Sequence, residues 1–147
     1  MANADDWLGQ EYLHVQKVVE DFDAKTLTVK AWSVTFSATA IGFAYEKAKP
    51  EILLVAILSA AAFWIVEALI KVNQQAYYRR IAEIEEHFAG ERETKPFQIG
   101  RAWGAAFDEH RRYRRVFSVM TWPHVFMPHL AIAAVGLSLL LVALVGR

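Results

Sequence analysis

The stretch Val125–Val145, "VFMPHLAIAAVGLSLLLVALV", is apolar on every side and decides the fold class. Its 21 residues would form about 31 Å of helix, which matches the hydrocarbon thickness of a bilayer. A helix that is apolar all round is either a core helix or a membrane span. Because a chain of 147 residues can hardly bury several such helices, we predict a span; a soluble helical bundle is the alternative.

Two further blocks of the chain carry few or no charged residues. Ile52–Ile70 provides 19 residues with Glu67 as the single charged one, and it follows Pro50, which a first helical turn tolerates. The block Ala31–Tyr45 has 15 residues, about 22 Å of helix, and spans only if Lys30 and Glu46 reach the membrane surface with their side chains. The sequence therefore predicts three spans, at 28–47, 51–70 and 125–145.

Amphipathic patterns predict the helices outside these spans. An apolar stripe over 5–25 predicts an N-terminal helix that Asn3 could cap; its members are Leu8, Tyr12, Val15, Val19 and Phe22. No breaker follows the second span, so its helix should continue to residue 89, with Gly90 directly after it. Residues 90–122 should form a loop and a basic helix.

Charge placement predicts how the spans are oriented. The formal net charge is zero and names no partner, and the lack of cysteine excludes a disulfide framework. Of the 16 Lys and Arg residues, 10 lie between the second and third spans. The positive-inside rule places the N-terminus and 71–124 in the cytosol, and the C-terminus on the periplasmic or extracellular side. We predict an all-α, homo-oligomeric bundle in which 1–147 is a single membrane domain.

Arginines and tyrosines on the cytosolic helices suggest a ligand site. Arg114 lies within an aromatic stripe, Arg80 flanks an apolar stripe, and packing of the two helices would bring them together. Guanidinium groups bind phosphate oxygens and aromatic rings stack on bases, so we predict a nucleotide or oligonucleotide ligand. The candidates are Tyr78, Arg79, Arg80, Arg111, Arg112, Tyr113, Arg114 and Arg115. The alternative is that these arginines contact lipid headgroups.

The first span has two polar faces, and either could line a wet path in a homo-oligomer. One carries Thr28, Thr35 and Thr39; the other carries Ser33 and Ser37. Whichever face does not line the path would permit close helix packing, and hydroxyls bonded to their own helix would explain either face without a pore.

Glu67, inside the second span, is a further pore candidate. Its spacing alternatively favours a pair with Lys71. The histidines lack metal-binding spacing and no catalytic motif is evident, so we predict no metal, no cofactor and no enzyme.

The layout resembles a known class of small membrane protein. The amphipathic helix, the two-span hairpin, the helix "NQQAYYRRIAEIEEHF", the cluster "RRYRR" and the final span resemble the effectors of bacterial anti-phage systems, most of all the channel effector of Hailong-type defence. That resemblance implies a homotetrameric channel in the bacterial inner membrane. It also implies a nucleotidyltransferase partner, whose DNA oligomer would hold the channel shut at the cytosolic arginines.

We therefore expect a ligand-gated, homo-oligomeric ion channel or pore. The alternative is a non-conducting membrane-anchored scaffold that docks a protein partner through its cytosolic helices. A small transporter is a weaker third possibility, because three spans offer little room for a midplane site.

Overall fold

A computed structural model describes residues 3–108 and 112–145, with the backbone alone at 107, 108 and 112–114. Within these ranges the chain is helical and contains no strand, as predicted. The helices are α1 (Ala4–Glu46), α2 (Leu53–Phe88), α3 (Ile99–Asp108), α4 (Arg112–Met120) and α5 (Pro123–Val145), with a 3-10 turn at Pro50–Ile52 before α2.

Two helices are long and apolar enough to cross a membrane, Pro50–Phe88 and Pro123–Val145. Of their apolar stretches, only 28% and 11% lie buried within the protein. The core helix of a soluble bundle would instead be mostly buried, so these helices indicate membrane association. The third predicted span, 28–47, is not among them and stays a prediction.

The N-terminal helix is longer than the sequence analysis expected. Residues 5–25 and 28–47 were expected to form separate helices, but both belong to the single helix α1. The boundary was inferred from a change in hydropathy, and no glycine or proline between the two segments interrupts the helical backbone. Asn3 caps α1 as predicted: its Oδ1 accepts a hydrogen bond from the Asp6 amide at 3.3 Å, while Asp6 Oδ2 accepts one from the Asn3 amide at 2.9 Å.

Both long helices end in a left-handed turn that satisfies their last carbonyl groups. Gly90 follows α2 with a φ of 77°, and the Glu91 amide donates to the Glu86 carbonyl at 2.9 Å. This confirms Gly90 as the residue after the helix. Ala48 takes the same place after α1 with a φ of 51°, and the Lys49 amide donates to the Ala44 carbonyl at 3.1 Å.

Contacts divide the chain into two compact units, whereas the sequence suggested a single membrane domain. Unit 1 comprises Met1–Lys25 and Ile70–Arg115, and unit 2 comprises Thr26–Leu69 and Val116–Arg147. Helices α1, α2 and α4 therefore contribute residues to both units. The expected basic helix within 90–122 is described in two parts, α3 and α4, because residues 109–111 lie outside the described ranges.

Unit 1 is built on the predicted amphipathic stripe of α1. Val15 and Val19 pack with Ile81 of α2, and Tyr12, Tyr77 and Ile99 cover that cluster. The tilted rings of Phe22 and Tyr77, 5.7 Å apart, extend it. This core fixes the first 25 residues against the second half of α2, and so positions the charged side chains of this unit.

Unit 2 packs its helices through small residues and leaves large ones outside. Its buried apolar side chains include Ala40, Ala44, Ala56, Ala60 and Ala68. At Gly136 of α5, an added Cβ would lie 3.0 Å from Ile57 Cγ1. Close helix approach through small residues is typical of membrane bundles. The outward-facing large side chains include Trp32, Phe36, Phe43, Leu54, Leu58, Val135, Leu141 and Val142.

Candidate functional site

Arg80, a predicted ligand contact, is instead the centre of a buried ion-pair cluster in unit 1. Only 1% of its side chain is exposed. Its Nε and Nη2 donate to the two Glu11 carboxylate oxygens at 2.8 and 3.0 Å. Nη1 donates to Glu83 and to Thr94 Oγ1, both at 3.2 Å, and Nη2 also donates to the Lys95 carbonyl at 2.8 Å. Its donors are therefore engaged within the fold, and a role of Arg80 as a ligand contact stays a prediction.

The charge of Arg80 is secured by its neighbours. Burial alone would lower the pKa of the guanidinium, but the hydrogen bonds and negative charges of Glu11 and Glu83 raise that pKa above its ordinary value. The cluster thus keeps one protonation state. Glu11 is also the acceptor for the Phe97 amide at 2.6 Å, which holds the loop before α3 on the cluster, and Phe97 adopts a left-handed φ of 63° there.

A basic cleft of about 560 Å³ opens beside this cluster, within unit 1. Five cations line it: Arg80, whose donors are engaged in the cluster, and Arg79, Arg92, Lys95 and Arg101. Glu83 and Glu93 are the carboxylates of the lining. Glu83 is shared, because Arg79 Nε lies 3.5 Å and Arg92 Nη1 lies 4.0 Å from its Oε1 while its other oxygen accepts from Arg80. The cations outnumber the carboxylates, so the cleft favours an anion.

The other predicted ligand residues have mixed placements. Arg79 lies in the cleft, Tyr78 is 48% exposed, and Arg115 Nη1 donates to the Ala106 carbonyl at 2.9 Å. Arg111 lies outside the described residues, as do the side chains of Arg112, Tyr113 and Arg114. The expected meeting of Arg80 with Arg114 is therefore not described.

Three cations of the cleft were missed by sequence reasoning. Arg92, Lys95 and Arg101 lie within 90–122, which was predicted only as a loop and a basic helix. The available signal was their spacing: three cations within ten positions on a segment that must return to α2. Nothing local showed that the segment folds back over Arg79.

Unit 2 contains a separate buried polar network at Glu67. His129 Nε2 lies 2.9 Å from Glu67 Oε2, and His129 Nδ1 lies 2.9 Å from Ser33 Oγ. Lys30 Nζ forms an ion pair with Glu67 Oε1 at 3.1 Å, outside hydrogen-bond geometry. The side chains of Ser33, Glu67 and His129 are 0–1% exposed, whereas that of Lys30 is 22% exposed. Each of α1, α2 and α5 thus contributes at least one member.

The expected Glu67–Lys71 pair is not formed. Lys71 Nζ instead lies 2.6 Å from Asp23 Oδ1 and 3.0 Å from Gln74 Oε1. A carboxylate buried at Glu67 takes its partners from the helices packed around it, and Lys30 and His129 supply them. Sequence reasoning concluded of the histidines only that they lack metal-binding spacing. The missed signal was an ionisable residue in each of two predicted spans, which favours their pairing.

The structure separates the two polar faces of α1. Ser33 and Ser37 are fully buried, and Ser37 Oγ donates to the Ala56 carbonyl at 3.1 Å. Thr28, Thr35 and Thr39 are exposed, and Thr39 Oγ1 donates to the Thr35 carbonyl at 2.8 Å. The serine face therefore packs within the protomer together with Glu67, and only the threonine face remains available to line a path.

No protein-family model, curated protein or solved structure matches this chain. The likeness to defence effectors therefore stays a prediction.

The geometry limits the chemistry of both sites. Ser33, His129 and Glu67 are connected in the manner of a catalytic triad, but burial of all three keeps a substrate from the hydroxyl. Among the described residues no group of three or more His, Cys, Asp or Glu side chains could hold a metal ion. The sites thus consist of a cation-lined cleft in unit 1 and a buried polar network in unit 2.

Proposed function

We propose that the chain is a membrane-embedded homo-oligomer that conducts ions, and that an anionic ligand in the basic cleft controls it. The observation that carries this proposal is the threonine face of α1. Thr28, Thr35 and Thr39 place hydroxyl groups on the outside of a unit whose other exposed residues are largely apolar. These threonine side chains are exposed in one protomer, whereas a ring of copies would enclose them.

The proposal places three helices of unit 2 in the bilayer. α5 and the first part of α2 have the length and apolar surface that lipid requires. Residues 28–47 of α1 would cross beside them, because Ser37 bonds to Ala56 of α2 and Ser33 bonds to His129 of α5. Lys30 is partly exposed, which suits a side chain that reaches the membrane surface.

A pore needs polar side chains that contact water and face one another across a symmetry axis. Hydroxyl groups suit that position because they can bond to their own helix when dry and to water or ions when wet. Four copies are the number that the resemblance to defence effectors implies. The positive-inside rule supports an orientation in the bacterial inner membrane with the N-terminus and 71–124 in the cytosol and the C-terminus in the periplasm.

The ligand would be an anion that carries phosphate groups. Planar guanidinium groups bind phosphate oxygens in a bidentate manner, and Arg79, Arg92 and Arg101 offer three of them around one cleft. A volume of about 560 Å³ falls within the range of small-molecule pockets, about 300–1,000 Å³. A nucleotide or a short DNA oligomer fits this chemistry, and the resemblance implies a nucleotidyltransferase as its source. Its binding would shift the population between two packings of the helices.

A non-conducting scaffold is the second candidate, and one observation favours it. Trp7 and Phe97 of unit 1 have ring centroids 5.6 Å apart and are 40% and 70% exposed. Exposed aromatic pairs of this kind are common anchors at protein interfaces. A scaffold would dock its partner through this pair and leave the membrane tight.

The experiment that tests the proposal is ion flux from liposomes that contain purified protein. Wild type should conduct, and the isosteric double change Thr35→Val with Thr39→Val should reduce the flux at least tenfold, since it removes hydroxyls without changing side-chain volume. Thr121→Val removes an exposed hydroxyl from the turn before α5 and should conduct like wild type. Equal flux from all three proteins would exclude the threonine face as the path.

A further inference from the structure

Unit 2 holds three ionisable groups and one hydroxyl that the proposed conduction path does not use. Lys30 and Ser33 lie on α1, Glu67 on α2 and His129 on α5. Lys30 is the charged group that faces Glu67 from α1, and His129 is the titratable group that faces it from α5. Buried ionisable side chains in a membrane bundle are costly and are most often functional. The proton positions in this set decide what it can do.

The distances fix one proton and leave a second open. Glu67, paired with Lys30, is a carboxylate and only accepts hydrogen bonds, so His129 Nε2 at 2.9 Å must carry a proton. His129 Nδ1, 2.9 Å from Ser33 Oγ, can then be bare and accept from the hydroxyl, or protonated and donate to it. Both arrangements satisfy the 2.9 Å separation. They differ by a single proton on Nδ1.

We infer that His129 Nδ1 is a proton-binding site that links the packing of α1, α2 and α5 to pH. When the proton binds, an N–H bond forms at Nδ1 and the Ser33 O–H···Nδ1 hydrogen bond is lost. The imidazolium then donates to Ser33 Oγ, and the hydroxyl proton of Ser33 turns to the carbonyl four residues earlier on α1. The charge of Lys30, Glu67 and His129 together rises from zero to +1.

A net positive charge destabilises the packing of α1, α2 and α5 around this set. Ser33, Glu67 and His129 are buried, so water does not solvate the added charge in this packing. Water can reach the set if the helices separate on the side of Lys30, whose side chain is 22% exposed. Proton binding would therefore favour a packing in which water reaches the set. Proton binding would thus be a second regulatory signal, distinct from anion binding in unit 1. It rests on the proposed function only for its effect on conduction.

The direct test is nitrogen NMR of histidine-labelled full-length protein in lipid nanodiscs. The chain has five histidines, and His129→Gln assigns the resonance of His129. The pH is lowered through the range in which histidines take up a proton, about pH 8 to pH 5. His129 should begin with its proton on Nε2 and end with both nitrogens protonated, while the Ser33 amide resonance shifts in parallel. A single His129 state across the range would overturn the inference.

Two variants separate a proton site from a merely structural contact. Glu67→Gln removes the countercharge and keeps the shape, so the doubly protonated form should be at least tenfold less populated at the acidic end. Ser33→Ala should leave His129 protonation in place but abolish the pH-dependent shift of the amide resonance at position 33 of α1. Ser37→Ala, which removes a buried hydroxyl outside the set, should behave like wild type. A Glu67→Gln titration identical to that of wild type would contradict the proposal.

A flux measurement adds the functional consequence. In liposomes, the conduction of wild type should change at least threefold between the two ends of this pH range. That change should be absent in His129→Gln and present in His124→Gln. Liposomes that stay tight at every pH would overturn the proposed channel function, whereas the NMR result alone decides the proton site.

Discussion

The two units of this protein bury charge in opposite ways. In unit 1, the Arg80 guanidinium donates hydrogen bonds to both carboxylate oxygens of Glu11. Its charge is fixed, because an arginine side chain does not lose its proton in a protein. In unit 2, Glu67 is held by Lys30 and by His129. The first arrangement has one state and fixes structure. The inferred proton on His129 Nδ1 would give the second arrangement two states, which is what a regulatory element requires.

The largest expected effect comes from breaking the fixed cluster. Glu11→Gln keeps the shape of the side chain but leaves the Arg80 charge buried with only Glu83 as countercharge. We expect a loss of about 3 kcal/mol in the free energy of unfolding, the scale of a broken buried ion pair. Denaturant unfolding followed by circular dichroism measures it. Glu20→Gln, at an exposed position of α1, should change it by less than about 0.5 kcal/mol; similar losses in the two variants would refute the role of the cluster.

The matched substitution in unit 2, Glu67→Gln, should lower the free energy of unfolding by less. Glu67→Gln leaves an acceptor for His129 Nε2, and Lys30, being partly exposed, can turn to water. A loss of about 1–2 kcal/mol is expected, in the range of an impaired buried hydrogen bond. The same unfolding experiment compares the two variants directly. If Glu67→Gln destabilised the protein more than Glu11→Gln, the distinction between a fixed and an adjustable cluster would be wrong.

Anion binding distinguishes Arg80, whose donors are engaged in the cluster, from the other cations that line the cleft. Arg101→Ala should weaken the binding of inorganic pyrophosphate about tenfold, because a charged hydrogen bond contributes about 1.5 kcal/mol. Isothermal calorimetry on detergent-solubilised protein gives the dissociation constant. Lys17→Ala, an exposed cation on α1 outside the cleft, serves as the control. Unchanged affinity in Arg101→Ala would exclude the cleft as the anion site.

The smallest effect concerns the turns that end the two long helices. Ala48 adopts a left-handed φ of 51° in unit 2, where Gly90 adopts 77° in unit 1. Ala48→Gly should stabilise the protein by about 1 kcal/mol and Gly90→Ala should destabilise it by a similar amount, since only glycine occupies this region without strain. Melting temperatures of the two variants should move in opposite directions. Parallel shifts would contradict this assignment of strain.

Local sequence patterns predicted much of the fold. The apolar run Val125–Val145 and the stripe that begins at Leu8 follow from side-chain periodicity, and Gly90 and Asn3 are recognised by conformational preferences that each residue carries alone. The continuity of α1 was missed because a change in hydropathy was taken as a break in the backbone.

The charged sites were harder to predict because their partners are distant in sequence. Arg80 meets Glu11 across 69 positions, and Ser33 meets His129 across 96. Spacing rules describe neighbours on one helix, so they paired Glu67 with Lys71 and could not see His129. They also could not tell which polar face of α1 packs inside the protomer, because that depends on where Ala56 of α2 lies.

The measurement that tests the account most directly is electrical recording from planar bilayers that contain purified wild-type protein. A homo-oligomeric channel predicts discrete current steps of uniform size, and pyrophosphate or a short DNA oligomer on the cytosolic side should change the open fraction. A membrane that stays electrically silent, although the protein is shown by protease protection to be inserted, would contradict ion conduction and favour the scaffold.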